Sequence, residues 1–350
     1  MSKKTKLILL LLLFLLLAVM ILSSCIGAVT ITIPEFLSII ANQTGFSEVV
    51  NFKPQQAAVL MNIRLPRVVL GVLIGAGLGI SGAAIQGLFR NPLAEPGLIG
   101  ISAGATLFAV IVIVLEVGIF SAINGVVGFY AISLAAFFGA CLTTFLVYRM
   151  SSRHGKTEIT TLLLSGIAIN SLAAGLVGLL TYMATNEQLP AITFWSLGSL
   201  GGASWETVSG LLPFIIIPVF ILPFLAKSLN ALALGDAQAL HMGINVVMMK
   251  RIIIILATMA VGASVAVAGI IGFIGLIIPH ILRMTFTSDN RLVIPGSAIL
   301  GAALLTGADM AARTIVAPAE LPIGILTALI GTPVFMYIIV TERNKNKLYL

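Results

Sequence analysis

Residues 64–105 read RLPRVVLGVLIGAGLGISGAAIQGLFRNPLAEPGLIGISAGA. Two arginines, Arg64 and Arg67, enclose a leucine and a proline at the entry. The apolar segment behind them carries Gly71, Gly75, Gly79, Ala83 and Gly87 at four-residue steps. Residues four apart share one helix face, so the spacing predicts a helix with a smooth stripe where a second backbone can pack closely. The segment leaves through a polar knot, Arg90-Asn91-Pro92-Leu93-Ala94-Glu95-Pro96-Gly97. A charged, proline-interrupted turn between two apolar runs has no packing role of its own, which makes it a candidate for function.

Hydrophobic residues form 59% of the 350-residue chain and charged residues only 9%, with a mean hydropathy of +1.15. Soluble domains carry about 25% charged residues, so the chain reads as a polytopic membrane protein. The net charge of +7 does not point to nucleic acid, because the basic residues are scattered near the ends of apolar runs. Cys25 and Cys141 both lie inside apolar runs and suggest no disulfide or metal framework. His154, His241 and His280 are far apart and form no metal motif.

Lys3, Lys4 and Lys6 precede an apolar run from Leu7 to Leu22. Leu22-Ser23-Ser24-Cys25 resembles a lipoprotein cleavage box, but the residues after Cys25 stay apolar, which favours a retained first span over 7–27. Residues 30–63 read as an extramembrane loop with an interfacial segment. Further spans are expected at 68–87, 98–118, 126–148, 160–183, 208–226, 248–268, 270–285, 293–312 and 322–341, each near the ~20 residues a bilayer core needs. Ten spans place both termini on one side.

The positive-inside rule tests that count. With the N-terminus inside, fifteen of the 19 basic residues fall on inner segments: Lys3, Lys4, Lys6, Arg90, Arg149, Arg153, Lys156, Lys227, Lys250, Arg251, Arg283, Arg291, Arg343, Lys345 and Lys347. Lys53, Arg64, Arg67 and Arg313 remain outside and need a reason. The spans near 68–183 begin outside and those near 248–341 begin inside. Glycine-rich segments open both groups, so an inverted repeat is expected.

The inner stretch 229–246 contains Gly235-Asp236-Ala237-Gln238-Ala239, followed by Gly243. It is small-residue-rich, suits one or two short surface helices, and by itself also fits an ordinary connection. Its pattern G-D-A-x-A resembles the coupling loop of the iron-siderophore, haem and vitamin B12 permeases, the membrane subunits of type II ATP-binding-cassette importers. The same family pattern is met at R-L-P-R (64–67), N-P-L-A-E-P-G (91–97), F-W-S-L-G-S-L (194–200), G-x-I-G-F-I-G-L-I-x-P-H-I-x-R (269–283) and E-L-P-I-G-I-L-T-A-L-I-G-T-P-V-F (320–335). The matches run in order along nearly the whole chain.

The resemblance implies an all-α, single-domain permease of ten helices, working as a homodimer in the cytoplasmic membrane with both termini cytoplasmic. It implies two separate ATPase subunits inside, which use ATP and magnesium, and a substrate-binding protein outside. The permease itself would bind no cofactor and no metal. Gly235, Asp236, Ala239 and Gly243 would contact the ATPase. Arg64, Arg67 and Arg313 would meet acidic residues of the binding protein, a task that suits the planar guanidinium fork. Asn91 and Leu93, with Thr160, would form the cytoplasmic gate, and spans five and ten would line a passage on the dimer axis. The ligand would be an iron(III)-siderophore, with haem and cobalamin as close alternatives. Gly155-Lys156-Thr157 is no phosphate-binding loop, because Met150 stands where that motif needs glycine.

Asp309 is the one acid placed within a span, which makes it a functional candidate by default. An i,i+4 pair with Arg313 is the favoured reading. A proton-coupled secondary transporter using Asp309 is the rival. His280 is expected as a hydrogen-bonded helix-end residue, with a haem ligand as the alternative. Ser165, Asn170, Thr181, Thr327 and Thr332 face either the path or their own helix backbones. An intramembrane hydrolase would need a Ser-His or paired-carboxylate constellation, which the sequence does not display.

Overall fold

The computed structural model describes residues 3–45, 51–115, 126–153, 156–317 and 319–347. The first helices are α1 (Lys3–Cys25), α2 (Ile33–Gln43), α3 (Pro54–Val59) and α4 (Leu65–Phe89), with a π-helical turn at Leu60–Arg64 between the last two. A 3-10 turn at Pro96–Ile99 leads to α5 (Ile101–Leu115), then α6 (Val126–Ser151), α7 (Ile159–Met183), α8 (Gln188–Leu197) and α9 (Trp205–Ile221). The chain continues through α10 (Ala226–Leu232), α11 (Asp236–His241), α12 (Val246–Ala268), α13 (Ile274–Thr285), α14 (Asn290–Ala312) and α15 (Ile323–Lys347). Two-residue strands β1 (Ser152–Arg153) and β2 (Lys156–Thr157) pair antiparallel ahead of α7, a small departure from the all-helical expectation.

Seven helical stretches among the described residues are long and apolar enough to cross a membrane: Lys3–Cys25, Pro54–Phe89, Tyr130–Ser151, Ile159–Met183, Trp205–Leu232, Val246–Ala268 and Asn290–Ala312. The other three expected spans fall on shorter apolar helices, Ile101–Leu115, Ile274–Thr285 and Ile323–Ile338. The far end of the expected span 98–118 lies outside the described residues. Length alone therefore does not reach the expected ten. The shortening of α13 has a visible cause. Gly269 and Phe273 both take positive φ, 71° and 69°, so the chain turns back in extended form before α13 can start. Such broken entries occur at membrane depth only where protein buries them. Here the carboxylate of Glu95, from the knot, lies against the Phe273 backbone.

The centre of the bundle is α4, most of which is buried. Its stripe works as the spacing predicts. A Cβ on Gly75 would strike the Gly301 carbonyl of α14, and one on Gly79 the Ser297 carbonyl. Gly71 meets Thr306, so α4 and α14 run antiparallel with backbones in contact. On another face, Gly82 touches the Gly275 carbonyl of α13. In lipid, where apolar burial alone does not drive helices together, such close approach supplies the packing attraction.

The packing of α4–α7 recurs in α12–α15. Helix α4 lies on α14 as α12 lies on α6, α4 lies beside α13 as α12 lies beside α5, and α5–α6 contact is matched by α13–α14 contact. Gly166 of α7 meets the Leu98 carbonyl ahead of α5, and Gly324 of α15 meets the Ile270 carbonyl ahead of α13. The end of α4 and the start of α12 share Asp236 as an ion-pair partner, while Gly77 lies against Ser264 far along α12. The two opening helices thus run in opposite directions, as an inverted repeat requires.

Helix α1 joins the bundle through Leu16, which clusters with Ala302 and Ala303 of α14. Outside the bundle, α2 opens on a capping box: Thr32 Oγ1 accepts the Glu35 N–H while Glu35 Oε2 accepts the Thr32 N–H at 2.7 Å. Ile31, Ile39 and Leu60 pack this segment against the π-helical turn.

Candidate functional sites at the two ends of the bundle

At the end of the bundle that the charge rule reads as outer, the three arginines that break that rule come together, but all point inward. Arg64 is only 5% exposed. Its Nη1 donates to the carbonyls of Ser24 (2.9 Å) and Cys25 (2.8 Å), and its Nη2 to that of Val29. The last carbonyls of a helix have no partner within it, and Arg64 supplies one for α1. Arg313, at the end of α14, donates to the carbonyls of Ser23 and Ile26 and to Ser23 Oγ. Arg64, expected to meet acidic residues of a binding protein, is a buried clamp on the end of α1. Its donors serve the chain's own carbonyls.

Arg67 ties α4 to α14. Its Nε and Nη2 approach Asp309 at 2.9–3.1 Å, and its Nη1 reaches Glu320 at 2.8 and 3.0 Å. The Asp309 side chain is 3% exposed and that of Glu320 is 47% exposed. Arg313 Nε stands 3.6 Å from Asp309. The expected i,i+4 pair is therefore present, but it is secondary to a contact between residues 242 apart in sequence.

The inner end is built differently. Helix α4 stops because Arg90 adopts the left-handed conformation (φ 52°) at its C-cap. Asn91 Oδ1 then accepts the Leu93 N–H at 2.9 Å, which shapes the turn and leaves Leu93 39% exposed. Thr160 is exposed in the first turn of α7, about 9 Å along the helix axis from Gly166, where α7 meets the exit of the knot. Asn170 extends this contact by donating to the Gly97 carbonyl at 3.1 Å, whereas Thr181 and Thr327 bond their own helices.

Gly235 opens α11 with φ 124° and Gly243 follows it with φ 80°, backbone positions that favour glycine. Between them the four expected contact residues take different tasks. Ala239 is fully buried and seats α11 on the bundle. Asp236 turns toward its own chain, its carboxylate bound by Arg90 at 2.9 Å and Lys250 at 2.6 Å. Beside exposed Gln238 and His241, the stretch presents three large apolar side chains, Leu234, Leu240 and Met242, which are 66%, 64% and 61% exposed. The sequence reading missed these three. Their signal was available: three large apolar side chains in a short, small-residue-rich surface stretch. His280 is buried in α13 and lines an inner pocket with Arg90, Asn230, Arg283 and Asn290.

With this geometry in view, the chain can be set beside known proteins. The model of the FecCD transport family matches residues 15–341. The hemin transport system permease protein HmuU of Yersinia pestis is 45% identical over 286 residues, covering 81% of this chain and 84% of its own. The vitamin B12 import system permease protein BtuC of Klebsiella pneumoniae is 40% identical, with 82% and 83% covered. A solved inward-facing conformation of a metal-chelate type ABC transporter superposes with a TM-score of 0.82 at 31% identity, covering 95% of this chain and 99% of that one. The motifs, the bundle and these relatives agree: the chain belongs to the FecCD transport family.

Proposed function

We propose that the chain is the membrane permease of an ATP-driven importer for a bulky metal chelate, with haem, cobalamin and ferric siderophores as the candidate ligands. The match over residues 15–341 carries this reading. The exposed apolar face of α11 supports it, since three large side chains on a surface loop suit the groove of a partner protein. Separate ATPase subunits bind that face from the cytoplasm and hydrolyse ATP with magnesium.

In this reading α5, α13 and α15 complete ten spans, with their broken entries buried between neighbours. Two copies meet through α7 and α15, the fifth and tenth spans. Leu164, Leu172 and Tyr182 on α7 and Leu329 and Tyr337 on α15 are exposed in the single chain and suit that contact. The passage lies on the dimer axis in the cytoplasmic membrane, and both termini are cytoplasmic. Asn91, Leu93 and Thr160 close its inner mouth. A binding protein docks outside around Arg67 and the exposed Glu320, over the buried support of Arg64 and Arg313. Nucleotide-dependent association of the ATPases favours one access state over the other, which drives alternating access.

Proteoliposomes holding the chain with its ATPase and binding protein test the reading. One of the three ligands, presented separately, accumulates only with ATP inside. Accumulation of none, or equal accumulation without ATP, would overturn it.

A further inference from the structure

The first residue of α11 sits at a crossing of three elements. Asp236 Oδ1 accepts from Arg90 Nη2 at 2.9 Å, and Asp236 Oδ2 from Lys250 Nζ at 2.6 Å. Lys250 Nζ also donates to the Thr157 carbonyl at 3.3 Å. Arg90 caps α4 and immediately precedes Asn91 and Leu93. Thr157 ends β2, three residues before Thr160. A short chain of polar contacts thus runs from the proposed ATPase-binding helix to both segments of the proposed inner gate.

Burial differs along this chain of contacts. The Lys250 side chain is 5% exposed, that of Arg90 37% and that of Asp236 44%. An ammonium that deep needs partners, because an unpaired buried charge is costly. Lys250 is therefore bound to follow Asp236 and Thr157 when either moves. Arg90, nearer to water, adjusts more freely. Gly235 and Gly243 bound α11 at both ends, so α11 can shift as a unit while its first residue stays attached.

We propose that Asp236, Arg90 and Lys250 form the joint through which a displacement of α11 reaches both inner gate segments, with Lys250 as the positioning residue for the start of α7. This rests on the importer reading and assigns tasks to Arg90, which opens the polar knot, and to Lys250, which the charge pattern counts only as inner positive charge. Coupling free energies between sites typically correspond to factors of about 5 to 150, so losing the joint would show as a change of that size in ligand moved per ATP.

The test uses the full complex in proteoliposomes, with ATP hydrolysis and uptake measured in the same vesicles. Lys250→Met and Arg90→Gln are expected to lower ligand moved per ATP at least about fivefold while hydrolysis continues, and Lys250→Arg to restore most of it. Asp236→Asn combined with Lys250→Met should be at least as damaging as Lys250→Met alone, because it also removes the carboxylate that Arg90 holds. Thiol labelling of Leu93→Cys and Thr160→Cys, in a background lacking Cys25 and Cys141, supplies a readout independent of yield. Its dependence on nucleotide should vanish at position 160 with Lys250→Met and persist with Lys250→Arg. Unchanged ligand per ATP and unchanged nucleotide-dependent labelling in Lys250→Met would overturn the joint. Absence of ATP-driven uptake in the unsubstituted complex would instead overturn the importer reading.

Discussion

The two ends of the bundle use the same residue types for opposite purposes. Outside, Arg67 and Asp309 meet at a site where the acid is 3% exposed, and Arg64 and Arg313 are spent on carbonyls of their own chain. Inside, Arg90 and Asp236 meet where both side chains are more than a third exposed. Buried, an ion pair fastens helices, because separating its members leaves a desolvated charge behind. Near water the same pair separates at little cost. Burial thus makes the outer cluster a rivet and leaves the inner one able to move. The outer end holds α1, α4 and α14 in register, and the inner end is the one proposed to transmit.

Breaking the rivet should give the largest effect. Arg67→Met leaves Asp309 buried with only the longer contact to Arg313, and a loss of about 3–5 kcal/mol of stability is expected, read as thermal unfolding in detergent. Stability within about 1 kcal/mol of the unsubstituted protein would make the outer cluster no different from a surface pair. Next comes the outward face of α11. Leu240→Asp puts a charge where an apolar contact is proposed, and about 2 kcal/mol of ATPase affinity should be lost with unfolding temperature unchanged. Titration with the labelled ATPase checks this, and undiminished affinity would move the docking face elsewhere. Glu320→Gln sharpens the contrast from outside: it removes the exposed half of the Arg67 arrangement and should cost less than about 1 kcal/mol. The smallest effect is at Glu35. The Thr32 N–H, then Gln56 and the Thr32 hydroxyl, hold its carboxyl below the usual range. Its contribution is therefore present above the ordinary carboxylate pKa and fades as pH falls through the lowered one. Unfolding temperatures of Glu35→Gln and the unsubstituted protein should differ slightly at neutral pH and converge in acid.

The helical plan was legible because four-residue glycine spacing and long apolar runs are local signals. The stripe at Gly71, Gly75 and Gly79 named the face on which α14 lies. The broken entry to α13 was not legible, since residues 270–278 are apolar throughout and hydropathy does not register a positive φ at Phe273. At the outer end, the charge rule singled out Arg64, Arg67 and Arg313, but not their partners. Asp309 was assigned to its near neighbour on the helix, while its main contact comes from α4, 242 residues away. At the inner end the glycines around α11 marked the loop. Asp236, expected at the partner contact, is held by Arg90 and Lys250 with its side chain 44% exposed, and Leu234, Leu240 and Met242 stand exposed in the same stretch. Sequence shows which residue types a site has; the fold decides which of them face outward.

The most direct test of the claim that the inner end transmits and the outer end fastens is ligand uptake and ATP hydrolysis in one proteoliposome preparation, comparing Asp309→Asn with Leu240→Asp. The account predicts that Asp309→Asn, where folded, moves as much ligand per ATP as the unsubstituted permease, and that Leu240→Asp abolishes ATP-driven uptake. Uptake that needs no ATP, survives Leu240→Asp and collapses with Asp309→Asn would contradict it.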